Sequence, residues 1–476
     1  MLAEHLIAGH WETTDASRPV LDPALDTAVG EVAWGDRNDA TRAADSAAKA
    51  FDDWASTTPR KRADILRDAA DLLADRKGQM ALTLAREAGK LLPEAEAEVA
   101  FSAEYLRWFA EEARRIDGSV LTPEAPGRRH LAIRRPAGVA LSLTPWNFPV
   151  SIQARKLAPM LAAGCTVVAR VSEKAPLAAT ELFRALADAG IPDGVLNLVH
   201  GPARELTAEL LSHPAVRVAS FTGSTDVGSA IMAQAAARIT KPLLELGGNA
   251  PYIVFDDADL DAAVEGAVIA KLRNTGQSCV AANRFIVHED IADAFGSRLA
   301  ARFDVLTLGH GVPNAAGEMS GLGPVIDETR ARAVSALVAD ALERGGKLLT
   351  TKRELPAAGS YAAPTLIADL PEDSKLLTTE VFGPAAGIVR FRTDHDALAL
   401  ANSTDMGLAA YVWTASASRA WTFGEQLEAG IIGINDPVPS VAFAPMGGVK
   451  QSGLGREGSS AGIEEFLETR YLAWRP

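Results

Sequence analysis

One of the two cysteines in this 476-residue chain lies in a turn of small and polar residues. The segment NTGQSCV, residues 274–280, places Cys279 between a helix-like run and a strand-like one. A free cysteine is usually a small buried apolar residue, and Cys165 in LAAGCTVVA fits that description. Cys279 does not, and backbone N–H groups in such a turn can stabilise a thiolate and an oxyanion forming beside it. Cys279 is therefore a candidate nucleophile.

A glutamate inside an apolar segment is the second candidate. Glu245 ends the strand-like run of PLLELGGNAPYIVF and is followed by two glycines, Gly247 and Gly248, one residue later. A carboxylate at a strand end can simply cap a turn. It can also be a general base, because burial raises the pKa of a carboxyl group toward neutrality. The glycines would let the backbone pass close to a neighbouring group, which a site needs and a plain turn does not.

Two further segments have residue types that suit a site. Asn147 lies between prolines in LTPWNFPV, so its amide could donate a hydrogen bond without reorganisation, although an ordinary asparagine turn has the same appearance. FTGSTDVG joins a strand to a helix through Gly223, as do glycine loops that present a helix N-terminus to a pyrophosphate. By itself this second signal is weak, since it lacks the GxGxxG pattern.

The segments that must position these residues alternate between strand and helix from residue 131 onward. This alternation predicts an α/β fold, with a parallel sheet covered by helices on both faces and a second α/β unit that starts at PYIVF. The first hundred residues are predicted to be mainly helical, with a helix start at Thr58 and Pro59 and an end at Gly89. The C-terminal YLAWRP is apolar and extended and has no partner nearby in sequence, so we expect it to pair elsewhere, for example on another subunit.

Composition excludes several classes of protein. The formal charge of −14 is spread along the chain, which argues against nucleic-acid binding, because phosphate binding needs basic clusters. No apolar run is long enough for a transmembrane helix, no signal peptide is recognisable, and no Cys/His cluster has metal-ligand spacing. Two cysteines exclude a disulfide framework. We therefore expect a cytoplasmic protein with no membrane, nucleic-acid or metal partner.

Taken together, the motifs resemble those of the aldehyde dehydrogenase superfamily over essentially the whole chain. TPWNFP, FTGST, LELGGNAP, GQSC, EVFGP and PMGGVKQSGLGRE occur in the order and spacing of that family. The resemblance implies that Cys279 is the nucleophile, Glu245 the general base and Asn147 the side-chain half of an oxyanion hole. It implies oxidation of an aldehyde to a carboxylic acid through a thiohemiacetal and a thioester.

The same resemblance implies a nicotinamide cofactor and the residues that hold it. These residues are Thr144, Pro145, Trp146, Arg170, Ser172, Glu173, Gly223, Ser224, Leu246, Glu380 and Phe382. Glu173 falls where many members bind the adenosine ribose, and a carboxylate there would repel the 2′-phosphate of NADP. Arg170 replaces the family's lysine and could partly compensate. We therefore expect NAD, with NADP possible.

Three residues resemble the substrate contacts of the succinate-semialdehyde dehydrogenase branch. Arg155 and Arg273 match arginines that bind the distal carboxylate of the substrate, and Ser440 matches a third contact. Arg273, six residues before the nucleophile, would face the substrate entrance if the intervening helix end is regular. Met446 replaces the family's usual phenylalanine, which leaves the packing of this entrance open.

The resemblance also implies a division of the chain and an oligomer. The expected parts are a Rossmann-type NAD-binding domain at 1–112 and 136–246, an α/β catalytic domain at 247–436, a small β oligomerisation flap at 113–135 and 458–476, and a return segment at 437–457 that packs on the cofactor domain. A homodimer or a homotetramer is expected.

Succinate semialdehyde is the expected substrate, and rival functions remain. Two arginines cannot measure chain length, so glutarate or 2-oxoglutarate semialdehyde is an alternative, as is a general aldehyde dehydrogenase. A CoA-acylating enzyme is disfavoured by Glu245, because transfer to CoA does not need a hydrolytic base. A cofactor-free cysteine hydrolase is disfavoured by FTGST and EVFGP. A silent binding protein is disfavoured by the intact set of Cys279, Glu245 and Asn147.

Overall fold

The computed structural model describes residues 1–371 and 373–475. Glu372 and Pro476, which fall within the predicted catalytic domain and flap, lie outside the described residues. The N-terminal region contains β1 (Leu2–Ala3), β2 (His5–Ile7), β3 (His10–Glu12), β4 (Ser17–Asp22), β5 (Thr27–Ala33), α1 (Arg37–Ala55), α2 (Pro59–Ala88) and α3 (Leu92–Glu112). The prediction of a mainly helical start therefore missed five strands. Three of them have only two or three residues, too few to show a period of two, and in β4 and β5 buried and exposed residues do not alternate throughout.

Helix α2 begins and ends where its sequence predicts. The Thr58 side chain accepts a hydrogen bond from the backbone of Lys61, and Pro59 occupies the first helical position. Gly89 ends the helix with φ of +75°, in the left-handed region that glycine adopts without strain.

The next two regions form the alternating part of the chain. The first contains β6 (Ser119–Leu121), β7 (Arg129–Pro136), β8 (Val139–Leu143), α4 (Ser151–Ala163), β9 (Thr166–Arg170), α5 (Leu177–Asp188), β10 (Leu196–Leu198), α6 (Ala203–Ser212), β11 (Val216–Thr222), α7 (Thr225–Ala236) and β12 (Lys241–Glu245). The second contains β13 (Ala250–Val254), α8 (Leu260–Leu272), β14 (Ala282–His288), α9 (Glu289–Asp304), α10 (Glu328–Glu343), β15 (Lys347–Leu348), β16 (Thr365–Ala368), α11 (Lys375–Thr378), β17 (Ala385–Phe391), α12 (Asp394–Asn402), β18 (Met406–Gly407), β19 (Ala409–Trp413), α13 (Ala417–Gln426) and β20 (Ile431–Ile434). The C-terminal part adds β21 (Val449–Lys450), β22 (Gly453–Leu454), α14 (Ser459–Glu464) and β23 (Leu467–Trp474).

Two large sheets meet at residues 246–249, which join β12 to β13. The first sheet has the order β22-β12-β11-β8-β9-β10-β2-β3, and its strands from β8 to β12 run parallel. The second has the order β15-β16-β17-β14-β13-β19-β20 and is parallel except for β15. Both have helices against them, so the predicted α/β fold class is confirmed.

The chain order of the first sheet reverses between β8 and β11. From β8 the chain runs outward through β9 and β10, and it then crosses to β11 and β12 on the other side. Such a reversal opens a crevice at the carboxyl ends of the strands, where open α/β sheets bind their ligands. A return of the chain through β22 then adds an antiparallel strand beside β12.

The C-terminal strand pairs within its own chain. All eight residues of β23 pair with β7 in an antiparallel ladder, and β6 covers the other edge of β7. The strand thus pairs away from its sequence neighbours, as expected, but with a strand of its own chain rather than one of another subunit. Its partner is more than three hundred residues away in sequence, which local patterns cannot reveal.

Within residues 1–371 and 373–475, no helix combines the length and apolar character that a membrane crossing requires.

Candidate active site

The loop that carries Cys279 has an unusual backbone. Helix α8 ends at Leu272, and a 3₁₀ turn follows in which Asn274, Thr275 and Gly276 have φ of +53°, +56° and +73°. Two consecutive non-glycine residues in the left-handed region are strained, and such strain concentrates at functional sites. A Cβ on Gly276 would lie 2.3 Å from the Gly383 carbonyl oxygen, so only glycine fits. The helix end is therefore not regular, which contradicts the condition on which the position of Arg273 was predicted.

Glu245 lies at the end of β12, where the two sheets meet. Glu245 is 2% exposed, and neither of its carboxylate oxygens has a hydrogen-bond partner within the described residues. The two glycines that follow make close approaches. A Cβ on Gly248 would lie 2.3 Å from the Cys279 carbonyl oxygen, and one on Gly247 would lie 2.8 Å from Oε2 of Glu380. The glycines thus allow three candidate residues to approach each other.

The backbone of Asn147 is held from two sides. Its carbonyl oxygen accepts hydrogen bonds from Nζ of Lys90 at 2.8 Å and from Nδ2 of Asn274 at 2.9 Å. Lys90 is itself buried and ion-paired with Glu98. The Asn147 amide Nδ2 donates to the Gln277 carbonyl oxygen at 3.0 Å, which ties this residue to the Cys279 loop. Lys90 and Asn274 were not identified from the sequence. Their burial is what marks them, and burial is known only from the tertiary structure.

Burial sets the protonation of the two reactive groups. Cys279 is half-buried, and burial raises the pKa of its thiol to about 12 against the opposing charges of Arg155 and Arg273. Burial therefore favours the protonated thiol of Cys279. Burial, helped by the negative charge of Glu457, raises the pKa of Glu245 to about 8. A carboxyl group of this kind can take up and release protons near neutral pH.

The predicted cofactor residues lie at the carboxyl ends of parallel strands, with a second group opposite. Strand β8 is followed by Thr144, Pro145 and Trp146, and β9 ends at Arg170 and is followed by Ser172 and Glu173. Strand β11 is followed by Gly223 and Ser224, and β12 by Leu246. Strands β8 and β11 flank the switch point. From the second sheet come Glu380 and Phe382, whose ring contacts Trp146 edge-on at a centroid distance of 5.4 Å.

Several polar groups in this crevice are free to meet a dinucleotide. The hydroxyl oxygens of Thr144 and Thr222 are buried and have no hydrogen-bond partner within the described residues. Ser224 precedes helix α7 and its side chain does not cap it, so the first N–H groups of this twelve-residue helix remain available to an anion. Gly228 packs tightly on Leu246, where a Cβ would lie 2.4 Å from Cδ2. These features fit a nicotinamide dinucleotide.

An ion pair occupies the place expected for the adenosine ribose. Arg170 pairs with Glu173 and donates to the Gly201 carbonyl oxygen at 3.2 Å. Although burial opposes the charge of Glu173, Arg170 holds the pKa of this carboxyl group below its ordinary value. The carboxylate is thus negative and already neutralised by a neighbour.

Arg155 has a carboxylate partner that sequence reasoning missed. Its Nε lies 2.5 Å from Oε2 of Glu457, while Oε1 of the same carboxylate lies 2.5 Å from Nζ of Lys156. Lys156 also donates to Oγ of Ser220 at 2.8 Å. All four side chains are buried. Glu457 follows GLGR near the C-terminus, and nothing local in the sequence connects it to helix α4.

Arg273 and Ser440 are less constrained. Arg273 is half-buried, and its guanidinium lies 5.5 Å from the centre of the Phe148 ring. No carboxylate in the described part of the chain lies within ion-pair distance of it. The Ser440 hydroxyl lies 3.6 Å from Sδ of Met446. Arg155 thus has a carboxylate partner and Arg273 has none within the described residues. Both positive charges oppose the rise in the pKa of the Cys279 thiol.

No group of three or more His, Cys, Asp or Glu side chains in residues 1–371 and 373–475 is placed to hold a metal ion. A dinucleotide-type crevice that opens beside a cysteine, a buried carboxyl group and an amide belongs to an oxidoreductase that works through a covalent intermediate.

Comparison with known proteins identifies the family. The model of the aldehyde dehydrogenase family matches residues 11–472, and the chain belongs to this family. The NADP-dependent succinate-semialdehyde dehydrogenase of Escherichia coli K12 is 42% identical over 98% of this chain and 96% of its own length. The glutarate-semialdehyde dehydrogenase of Pseudomonas aeruginosa is also 42% identical, with the same coverage. The protein is therefore an NAD(P)-dependent aldehyde dehydrogenase.

Solved structures agree with this assignment. An aldehyde dehydrogenase from Brucella melitensis superposes with a TM-score of 0.96 at 44% identity, covering 99% of this chain and 97% of that one. A betaine aldehyde dehydrogenase from Staphylococcus aureus, solved in complex with NAD⁺, superposes with a TM-score of 0.95 at 31% identity, covering 99% and 94%.

Proposed function

We propose that this enzyme oxidises a short aldehyde that carries a distal carboxylate, with succinate semialdehyde as the preferred substrate and succinate as the product. The observation that carries the proposal is Arg273, a half-buried guanidinium six residues before Cys279 whose positive charge, with that of Arg155, favours the ionised form of the thiol. A negatively charged group on the substrate would give this cation a partner. Arg273 in particular has no carboxylate partner in the described residues.

The names of similar proteins support the same class of substrate. Relatives at 42% identity are called succinate-semialdehyde and glutarate-semialdehyde dehydrogenases, and one from Pseudomonas putida at 40% identity is called a 3-sulfolactaldehyde dehydrogenase. Each of these names denotes an aldehyde with a second, acidic group. Glutarate semialdehyde is therefore the second candidate substrate. The relative kcat/KM values for succinate semialdehyde and glutarate semialdehyde decide between the two.

The first chemical step needs a proton acceptor for the thiol. Because the Cys279 thiol is protonated at rest, its attack on the aldehyde carbon must transfer the proton to a base. This proton passes to solvent water, so Glu245 is needed only in the later hydrolysis step. The attack produces a tetrahedral thiohemiacetal on Cys279.

Asn147 and the backbone N–H of Cys279 are proposed to stabilise the oxyanion of this intermediate. The Lys90 and Asn274 contacts to the Asn147 carbonyl oxygen fix the residue before the reaction, so the amide need not reorganise. The nicotinamide cofactor, when bound, accepts the hydride that the tetrahedral carbon releases. Glu380 would hold its ribose and Leu246 its nicotinamide, with the pyrophosphate at Gly223 and Ser224.

Loss of the hydride leaves a thioester on Cys279, and hydrolysis completes the cycle. Glu245 in its ionised form removes a proton from water as the water attacks the thioester carbon. The carboxylic acid leaves, and the thiol is restored. Transfer to CoA would not require this base.

Replacing Arg273 by alanine is expected to lower kcat/KM for succinate semialdehyde about 10- to 100-fold, because one charge-assisted hydrogen bond contributes about 1.5–3 kcal/mol. Most of the effect should be in KM. NADH formation with purified enzyme measures it, and butanal is the internal control, since a neutral aldehyde loses no ionic contact.

Arg273 is the informative position because its removal leaves no buried partner. Arg155 is less informative, since its loss would remove one of the two buried cations that pair with Glu457 and so would also lower stability. Arg273→Lys retains the charge without the planar fork and should recover part of the loss. Equal losses on butanal and succinate semialdehyde would contradict the carboxylate contact and leave a general aldehyde dehydrogenase.

The cofactor preference is proposed to depend on the Arg170–Glu173 pair. Glu173→Gln removes the carboxylate that repels a 2′-phosphate and releases Arg170 to attract it, so the ratio of kcat/KM for NADP to that for NAD should rise about tenfold or more. Arg170→Gln is the matched variant and should lower the same ratio. Unchanged ratios in both variants would contradict the assignment.

We also propose that the two large sheets and the sheet of β6, β7 and β23 correspond to separate units of a cytoplasmic homo-oligomer. The first large sheet would be the cofactor unit, the second the catalytic unit, and β6, β7 and β23 the flap. Strand β23 has one open edge and exposes Tyr471, Leu472 and Trp474. An open strand edge with exposed apolar side chains favours pairing with a second copy of the chain.

A further inference from the structure

Met446 contacts two of the three residues proposed to bind the substrate carboxylate. Its sulfur lies 2.6 Å from Nη1 of Arg155 and 3.6 Å from the hydroxyl oxygen of Ser440. The residue is 6% exposed and packs in the apolar cluster to which Cys279 also belongs. The thioether thus lies against two of the side chains that are proposed to bind the substrate carboxylate.

The backbone holds Met446 firmly in this position. Its N–H donates to the Glu457 carbonyl oxygen at 2.8 Å, and the Glu457 N–H donates back at 2.7 Å. Glu457 is also the ion-pair partner of Arg155. Arg155 therefore contacts both members of the Met446–Glu457 backbone pair: its Nε faces the Glu457 carboxylate, and its Nη1 faces the Met446 sulfur.

The donors around this sulfur exceed what the sulfur can satisfy. A thioether is a weak acceptor, and an ionised oxygen forms much stronger hydrogen bonds with the same donors. A third polar group also faces this region. Tyr105 is 1% exposed, its hydroxyl oxygen has no hydrogen-bond partner within the described residues, and Arg155 is its main charged neighbour. Because Arg155 Nη1 and the Ser440 hydroxyl meet only a weak acceptor at Met446, these groups point to a ligand with acceptor oxygens.

We propose that Met446 is a specificity-determining residue whose thioether occupies the acid-binding end of the substrate pocket and limits the length of the semialdehyde that fits. The inference rests on the proposed function, and it deepens it by naming the side chain that measures chain length. An unbranched methionine side chain is flexible, so its sulfur can move aside for a carboxylate oxygen. The side chain still occupies space at this end of the pocket, and a longer semialdehyde would need that space.

The test compares wild-type enzyme with Met446→Ala and Met446→Leu on four aldehydes: succinate semialdehyde, glutarate semialdehyde, butanal and pentanal. Met446→Ala should raise the ratio of kcat/KM for glutarate over succinate semialdehyde about tenfold or more, because one methylene in a pocket is worth about that much. Met446→Leu conserves volume and should keep the ratio within about threefold of wild type. A ratio that does not change in Met446→Ala overturns the proposal.

Two further readouts keep the outcomes separate. If the alanine variant unfolds, as its thermal unfolding temperature will tell, Met446→Val removes less volume and must shift the ratio in the same direction. If wild-type enzyme oxidises butanal and succinate semialdehyde equally well, the proposed function fails. The ratio of pentanal to butanal in Met446→Ala then still tests whether Met446 limits chain length, and an unchanged ratio overturns that as well.

Discussion

Cys279→Ser is expected to lower kcat for aldehyde oxidation by about 10⁴-fold or more, the scale seen when an enzyme loses its nucleophile. A serine hydroxyl is a weaker nucleophile than a thiol and its ester would form in place of a thioester. The side chains have nearly the same shape and Cys279 is only half-buried, so the thermal unfolding temperature should hardly change. NADH formation, measured with a saturating aldehyde, checks the prediction.

The second cysteine provides the matched control. Cys165 is buried in the core of the first sheet and its thiol contacts the Phe466 carbonyl oxygen at 3.4 Å. Cys165→Ser should keep kcat within about twofold and instead lower stability, by about 1–3 kcal/mol, since it buries a hydroxyl. Comparable losses of activity in the two variants would contradict the assignment of Cys279.

Glu245→Gln is expected to lower steady-state kcat about 10²- to 10⁴-fold, which is the usual contribution of a general base. Hydrolysis should slow more than thioester formation, so the enzyme should accumulate as the thioester. Rapid mixing should then show about one NADH per active site before a very slow turnover, and intact-mass measurement should show the added acyl group. The variant should remain folded, because neither oxygen of Glu245 has a hydrogen-bond partner in the described residues.

The pH dependence gives an independent readout of the same residue. Glu245 acts as a base only when ionised, and burial raises its pKa to about 8. The hydrolysis rate of wild-type enzyme should therefore be low below pH 7 and rise as pH passes through about 8. Glu245→Gln should lose this rise. A complete loss of the initial NADH burst in the variant would mean that Glu245 serves thioester formation rather than hydrolysis.

Local patterns in the sequence predicted much of the fold and the candidate residues. The alternation of strand-like and helix-like segments predicted the parallel sheets, because each period depends on residues within one element. The start and end of α2 followed from Thr58, Pro59 and Gly89 for the same reason. The strands β1 to β5 were missed because they are short or lack regular alternation, whereas the partner of β23 was missed because it lies in a distant segment.

The sequence by itself determined the family and named Cys279, Glu245 and Asn147, because each lies in a short motif whose residue types already suit its chemistry. Only the tertiary structure decided the state of these groups. It pairs Arg155 with Glu457, places the Met446 sulfur against that arginine, and raises the pKa values of Cys279 and Glu245. Burial and charge pairing are sums over residues from distant parts of the chain, so no local pattern contains them.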